Sequence, residues 1–158
     1  MPVVQPKKKP SQPEEVRVDE ALMSPGKYEV TEENTFTVDV YLMLKKKVWT
    51  LVSGSGDGVH HEQVVFRLWN YDEMVGLRKK ATTYDSVRRM HVVDNDALNR
   101  LKIQKFLMSW TFDKDNPRLK LHHVGGVLTD ESWTHVKLLQ PSILRHIIDK
   151  MNEVYERS

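Results

Sequence analysis

The chain has 158 residues, enough for one domain, and contains no cysteine. The missing thiols exclude a disulfide framework, thiolate metal sites and a cysteine nucleophile, and they fit a protein made in a reducing compartment. The formal net charge of +2 argues against a dedicated duplex-DNA binder, for which a strongly basic domain is expected.

Residues 1–27 are predicted to form an extended or disordered N-terminal arm. They hold five of the seven prolines and the run Lys7-Lys8-Lys9, so the segment cannot bury enough apolar surface to offset its ordering entropy. Such an arm can still become ordered against a neighbouring subunit. The arm lacks the apolar core of a secretion signal, and the chain has no run of about 18 apolar residues. We therefore expect no membrane partner.

Residues 36–68 are predicted to form a small antiparallel sheet of about three strands. The segment FTVDVYLML (36–44) alternates apolar and polar residues, as in a half-buried strand. The runs VWTLV (48–52) and QVVFRL (63–68) flank a glycine-rich connector, which is typical of a hairpin. Lys45, Lys46 and Lys47 separate the first two strands.

Residues 70–157 are predicted to be mostly helical, which completes an α+β domain over residues 28–158. Asn70 and Glu73 match a capping box, so a short helix should begin near Tyr71 and end near Lys80 or Ala81. Asp94 is expected to cap a longer helix that reaches Trp110.

Two more helices are predicted at the C-terminal end of the sequence. One begins at Thr129 and ends near Gln140, because Pro141 cannot continue it. Pro141 opens the last helix, which has the clearest apolar face in the chain. This face contains Ile143, Leu144, Ile147, Ile148, Met151, Val154 and Tyr155.

Two motifs invite a ligand-binding interpretation. The glycines of GSGDG (54–58) could approach a phosphate, but Val59 stands where a dinucleotide fingerprint needs a third glycine. The pairs His60-His61 and His122-His123 could meet around zinc or nickel, with Asp57 as an oxygen ligand. Adjacent histidines on a strand point to opposite faces, so each pair offers one ligand at most. We favour a hairpin tip and ordinary loop histidines, and expect no cofactor and no metal.

Catalytic interpretations find little support in the sequence. Ser132 and His135 lie three residues apart on one predicted helix, without a strained nucleophile turn or oxyanion donors. Paired acids such as Asp94 and Asp96 are better explained by capping and turns. We therefore predict that the protein is not an enzyme. Trp110 and Trp133 bracket a polar loop, and we expect them to pack on one another's helices and hold it.

The helical half resembles small tail-assembly and tail-structural proteins of tailed bacteriophages over about residues 62–156. The resemblance rests on the order of four segments: VVFRLWNYDEM (64–74), LNRLKIQKFLMSWTF (98–112), GVLTDESW (126–133) and LLQPSILRHIIDKMNEV (138–154). It implies a protein–protein role in building a tail, tail tip or baseplate, with no catalytic residues. The protein would stay in the virion or act as an assembly chaperone, after assembly in the host cytoplasm.

This resemblance makes other phage tail or baseplate proteins, or further copies of the chain, the expected partners. Exposed apolar surface and open sheet edges would supply the contacts. The partner-binding candidates are Lys45, Lys46 and Lys47, which would guard a sheet edge, and Ile143, Ile147, Met151 and Val154, where not fully buried.

A nucleic-acid-binding function is the alternative from another class. Tyr71, Tyr84 or Trp69 could stack on bases beside a locally basic segment, although the near-neutral total charge argues against it. The eight basic residues of the segment are Arg78, Lys79, Lys80, Arg88, Arg89, Arg100, Lys102 and Lys105.

Overall fold

The computed structural model describes residues 29–31 and 33–157. Contacts divide the chain into two units, Met1–Thr31 and Glu32–Ser158. The predicted arm, residues 1–27, lies outside the described residues. The helices and strands of the described residues all belong to the second unit.

The second unit is an α+β fold, as predicted, with four helices and eight strands in its described residues. The helices are α1 (Tyr71–Lys80), α2 (Asn95–Phe106), α3 (Asp130–Val136) and α4 (Pro141–Arg157). The strands are β1 (Thr35–Lys45), β2 (Val48–Val52), β3 (Val59–Arg67), β4 (Thr82–Asp85), β5 (Met90–Val93), β6 (Leu107–Trp110), β7 (His123–Val124) and β8 (Val127–Leu128).

The main sheet has four antiparallel strands in the order β2-β1-β3-β6. One face of β1 is apolar because every second residue is Val or Leu, and Val38, Val40 and Leu42 are all buried. Helix α4 covers this face with its apolar stripe, and Ile147 and Met151 are buried with the strand residues in one core. The strand and helix periodicities of the sequence therefore place the core correctly.

Helix α1 begins as predicted, because the Asn70 side chain accepts from the Glu73 N–H and the Glu73 carboxylate accepts from the Asn70 N–H. Pro141 opens α4 and Thr129 caps α3, also as predicted. Helix α3 ends at Val136, however, earlier than the expected end near Gln140.

The predicted helix from Asp94 to Trp110 is wrong at its C-terminal end. Helix α2 ends at Phe106, and the next four residues form β6 on the free side of β3. The sequence FLMSWTF is rich in aromatic residues that suit a strand, and pairing with β3 satisfies backbone groups that would otherwise be open. The helix therefore ends where pairing with β3 begins, although the spacing of the apolar residues is compatible with a longer helix.

The C-terminal half also contains two short hairpins that the helical prediction missed. Strands β4 and β5 form one, and β7 and β8 form the other around Gly125 and Gly126, which both have positive φ. Paired glycines fit a tight hairpin turn because they adopt left-handed conformations without steric cost. None of the helices in residues 33–157 is long and apolar enough to cross a membrane.

Candidate protein-interaction surface

The turn between β1 and β2 carries the predicted lysines. Lys46 and Lys47 form a two-residue turn with φ of 50° and 68°, and Lys45 pairs with Val48 at its base. Two positive φ values define the turn type that matches the twist of the flanking strands. All three lysines are exposed, so they surround the end of the hairpin with positive charge.

Directly behind this turn lie three exposed apolar side chains, which we call the hairpin patch; Leu44 and Trp49 lie on one face of the hairpin and Val48 on the other. Leu44, Val48 and Trp49 are 54%, 52% and 42% exposed. Trp49 belongs to the face of the sheet that α4 covers further along, and its ring lies 5.5 Å from that of His60. Ile143, in the first turn of α4, lines a groove together with Trp49, but the three side chains of the patch remain about half exposed.

The hairpin patch borders an apolar groove of about 420 Å³. Its far wall contains Leu138, which is 51% exposed and follows α3. The groove is lined by Leu42, Trp49, His60, Glu62, Phe112, Asp115, Asn116, Leu119, Leu138, Leu139, Gln140 and Ile143. A concave surface with exposed Trp and Leu at its rim is typical of a site that receives an apolar side chain of a partner.

The floor of the groove contains a buried carboxylate with two side-chain partners. Glu62 accepts a hydrogen bond from the Thr111 hydroxyl, and its other oxygen lies 2.7 Å from His60 Nε2. Because Thr111 also accepts from the Gln63 N–H and donates its own N–H to the Gln63 carbonyl, the carboxylate sits in a satisfied network. This network fixes the position of His60 below Trp49.

The helix residues predicted to bind partners have a different place. Ile143, Ile147 and Met151 were predicted to contact a partner only where they are not fully buried. All three are buried in the core, so they are not accessible to a partner. Val154 is half-buried and lines a second groove, of about 730 Å³, between α4 and the first two strands. Of the predicted candidates, the three lysines and Val154 therefore reach the surface.

The histidine pairs do not converge. His60 and His61 lie within β3, not in a connecting loop as predicted, and they point to opposite faces. His61 stacks on Tyr41 and lies 2.8 Å from an Asp39 oxygen, while His123 contacts the Leu107 carbonyl. Across residues 29–31 and 33–157, no group of three or more His, Asp and Glu side chains could hold a metal ion.

The polar loop before α3 is held in place by hydrogen bonds, one of which comes from Trp110, the first of the two tryptophans expected to hold it. Trp110 Nε1 donates to the Leu119 carbonyl at 2.8 Å, and the buried Ser132 hydroxyl accepts from the His122 N–H at 2.7 Å. His135 Nδ1 lies 2.9 Å from the Lys120 carbonyl. Trp133 instead faces the guanidinium of Arg100. Ser132 and His135 thus each bind the loop backbone.

A charged network joins β3, α1 and α2. Arg67 donates two hydrogen bonds to Glu73, at 3.1 and 2.6 Å, and Lys105 Nζ lies 3.9 Å from the same carboxylate. The hydrogen bonds from Arg67 hold the pKa of Glu73 below its ordinary value, helped by the Asn70 N–H. At the start of α3, a hydrogen bond from Gln104 and the charge of Arg100 lower the pKa of Asp130.

Lys102 is a buried lysine of the helical half. Its Nζ donates to Asn152 Oδ1 at 2.8 Å and lies 3.4 Å from the ring centroid of Tyr155. Burial lowers its pKa from 10.5 to about 8, and the positive charge of Arg78 adds to the effect. Lys102 was predicted as part of a basic surface, and that role is excluded by its burial.

Comparison with known protein families, with characterised proteins and with solved structures found no significant match for this chain. Trp49 and Leu138 were not among the predicted partner-binding residues, because an apolar residue in a strand or beside a helix end carries no sign in the sequence of its exposure. The cluster of three lysines beside VWTLV was the one available signal, since charged residues often flank an open strand edge.

Proposed function

We propose that the chain is a non-enzymatic assembly component of a tailed-phage tail or baseplate, retained in the virion and acting through contacts with other tail proteins. The observation that carries this proposal is the hairpin patch with its adjoining groove. Trp49 and Leu138 expose apolar surface at the rim of one groove, and Leu44 lies beside Trp49 on the same face of the hairpin. Contiguous exposed apolar surface of this kind is typical of protein–protein contact sites.

The order of the C-terminal segments supports the choice of partner class. The segments that carry the resemblance to tail-assembly and tail-structural proteins include the β3–α1 junction, α3 and α4. Each contributes buried residues to one core: Phe66, Val136 and Met151 are examples. The resembling segments thus contribute to the core together with β1, and the hairpin patch is one of the apolar surfaces that remain exposed outside it.

The composition of purified virions tests the proposal. The expected result is that mass spectrometry finds the chain in particles from its native host, at a fixed ratio to the tail-tube protein. An assembly chaperone is the alternative, and it would appear with tail intermediates in the lysate but not in particles. Absence from both would overturn an assembly role.

A matched pair of variants tests whether the patch is the contact surface. Leu138→Asp places a charge at the rim of the groove, whereas Val87→Asp changes a 90% exposed residue in the β4–β5 turn. Both should leave the free energy of unfolding within about 0.5 kcal/mol, because neither side chain is buried. We expect Leu138→Asp alone to lower incorporation into particles, and equal incorporation of both variants would refute the patch as the contact.

Nucleic-acid binding is the second candidate, and one specific observation favours it. The last turn of α1 and the β4–β5 turn expose Arg78, Lys79, Lys80, Arg88 and Arg89, near the exposed rings of Tyr71 and Tyr84. Cations interleaved with aromatic rings are typical of single-strand binding surfaces. A gel-shift series should then show binding that weakens steeply with salt. The absence of any shift at about 50 mM salt would remove this candidate.

A further inference from the structure

The main sheet has one open edge. In residues 33–157, β2 is paired with β1 alone and ends the strand order β2-β1-β3-β6. The other edge strand, β6, is partly covered, since the Leu107 carbonyl lies 2.8 Å from His123 Nε2. A strand edge with unpaired backbone groups is a template for another strand.

The register of the hairpin shows which backbone groups are open. The turn of two residues, Lys46 and Lys47, makes Lys45 and Val48 the closing pair, which exchanges both of its hydrogen bonds. From there the pattern alternates along β2, so Val48, Thr50 and Val52 turn their N–H and C=O groups towards β1. Trp49 and Leu51 turn theirs away from the sheet.

We propose that β2 pairs in antiparallel orientation with β2 of a second copy of this chain, about a two-fold axis that passes beside Thr50. The pairing would join two main sheets into one continuous sheet. The inference rests on the proposed assembly function, because it names a second copy as a partner at the same hairpin.

This register uses the open groups of both strands. Trp49 lies opposite Leu51 of the second copy, and the two residues exchange both of their hydrogen bonds; the same pair recurs across the axis. A register shifted by two residues would need Lys47, which has a φ of 68°, or Ser53, which lies in a bend. Neither residue has the extended backbone that a strand pair requires.

The side chains also suit this register. Val48 would lie opposite Val52 of the second copy on one face, and Trp49 opposite Leu51 on the other. Both pairs place apolar side chains directly opposite one another, where cross-strand side chains are close enough to pack. The sequence VWTLV contains no charge and no proline, so nothing within the strand opposes the pairing.

The charges at the two ends of β2 select the antiparallel orientation. One end carries Lys45, Lys46 and Lys47, and the other leads into residues 53–58, whose one charged residue is Asp57. Antiparallel pairing places the lysines of each copy opposite the Asp57 segment of the other, whereas parallel pairing places two lysine clusters side by side. Such exposed charges determine orientation more than affinity.

The expected dimer is weak. Two short strands and the hairpin patch bury less than the roughly 1,200 Å² of a stable interface. We therefore expect a dissociation constant on the order of 100 μM for the isolated chain. A repeated assembly would raise the local concentration of the chain and populate the pair.

A single-cysteine variant tests the axis directly, because the chain contains no cysteine of its own. In Thr50→Cys the two thiols would face each other in a non-hydrogen-bonded pair, where Cα atoms are about 4.5 Å apart and a disulfide can form. Val87→Cys, in the exposed β4–β5 turn, is the control. We expect Thr50→Cys to form covalent dimers at least about tenfold faster under mild oxidation. Equal rates would overturn the proposal.

A charge pair tests the same axis without a covalent bond. Thr50 lies on the sheet face away from α4, so Thr50→Lys and Thr50→Glu each place two like charges against one another at the axis. Sedimentation should show each variant as a monomer and their equimolar mixture as a dimer. A wild-type chain that stays monomeric at about 500 μM, five times the expected constant, would exclude the second copy and leave the edge to a different protein.

The strand pairing and the proposed assembly function can be refuted separately. A monomeric chain found in virions at a fixed ratio would refute the strand pairing and keep the assembly role. A chain that dimerises through Thr50 but is absent from particles and intermediates would refute the assembly role and keep the strand pairing.

Discussion

Replacing Lys102 with methionine should stabilise the protein near neutral pH. The lysine ammonium is buried between α2 and α4 with one hydrogen bond, to Asn152, and one aromatic ring, that of Tyr155. The fall of its pKa from 10.5 to about 8 corresponds to about 3 kcal/mol of destabilisation while the group is charged. Methionine fills a similar volume without charge, and losing the hydrogen bond costs about 1 kcal/mol. The expected net gain is therefore about 2 kcal/mol.

The sign of the pH dependence follows from the same pKa. Between pH values of about 8 and 10.5 the folded chain releases the Lys102 proton while the unfolded chain still holds it, so the free energy of unfolding rises with pH in this interval. From about pH 7 to about pH 9.5 this group should add about 2 kcal/mol to the stability of the wild-type chain. Lys102→Met should lack this increase.

Urea denaturation of both chains at the two pH values measures the effect, because subtracting the variant from the wild type removes the contribution of every other titrating group. Identical pH dependence in the two chains would refute the assignment of the lowered pKa to Lys102. A variant less stable than the wild type near neutral pH would show that the hydrogen bond to Asn152 and the contact with Tyr155 outweigh the burial of the charge.

Three further predictions concern other parts of the fold. Glu73→Gln should cost about 1–3 kcal/mol near neutral pH, because the carboxylate accepts two hydrogen bonds from Arg67 and one from the Asn70 N–H. Because the folded pKa of Glu73 is lowered, the difference in unfolding free energy from wild type should begin to shrink as the pH falls through the ordinary carboxyl pKa, and it should be lost once the pH is below the lowered folded pKa, as urea titrations would show. Tyr155→Phe should raise the melting temperature, because the Tyr155 hydroxyl is buried and has no hydrogen-bond partner in the described residues; a lower melting temperature would contradict this. Lys46→Asn with Lys47→Gly should stabilise the chain by about 1 kcal/mol in thermal unfolding, because both positions have positive φ.

Much of the fold was predictable because local signals and burial agree. The alternation of β1, the capping box of α1 and Pro141 at the start of α4 each have one plain structural outcome, and each is confirmed. The segment after Phe106 differs, because its apolar residues suit a helix and a strand equally. Its structure depends on β3, some 40 residues earlier, whose free edge it pairs with. Spacing along the chain does not contain that information.

The candidate surface was harder to predict for a related reason. A strand such as VWTLV has the same sequence pattern whether it lies inside a sheet or at its edge. The exposure of Trp49 depends on what packs across the sheet from it, and the exposure of Leu138 follows from the end of α3 at Val136. The apolar stripe of α4, by contrast, was correctly identified. Most of its partner-binding candidates are buried in the core, so they do not form a contact surface.

The position of α4 in the chain has a consequence for biosynthesis. The strands β1, β2 and β3 are complete within the first 67 residues, but the helix that covers their apolar face spans Pro141–Arg157. During translation, Val38, Val40 and Leu42 therefore emerge from the ribosome long before their cover does. The nascent chain must keep this face from aggregating while roughly half of the protein is still being synthesised.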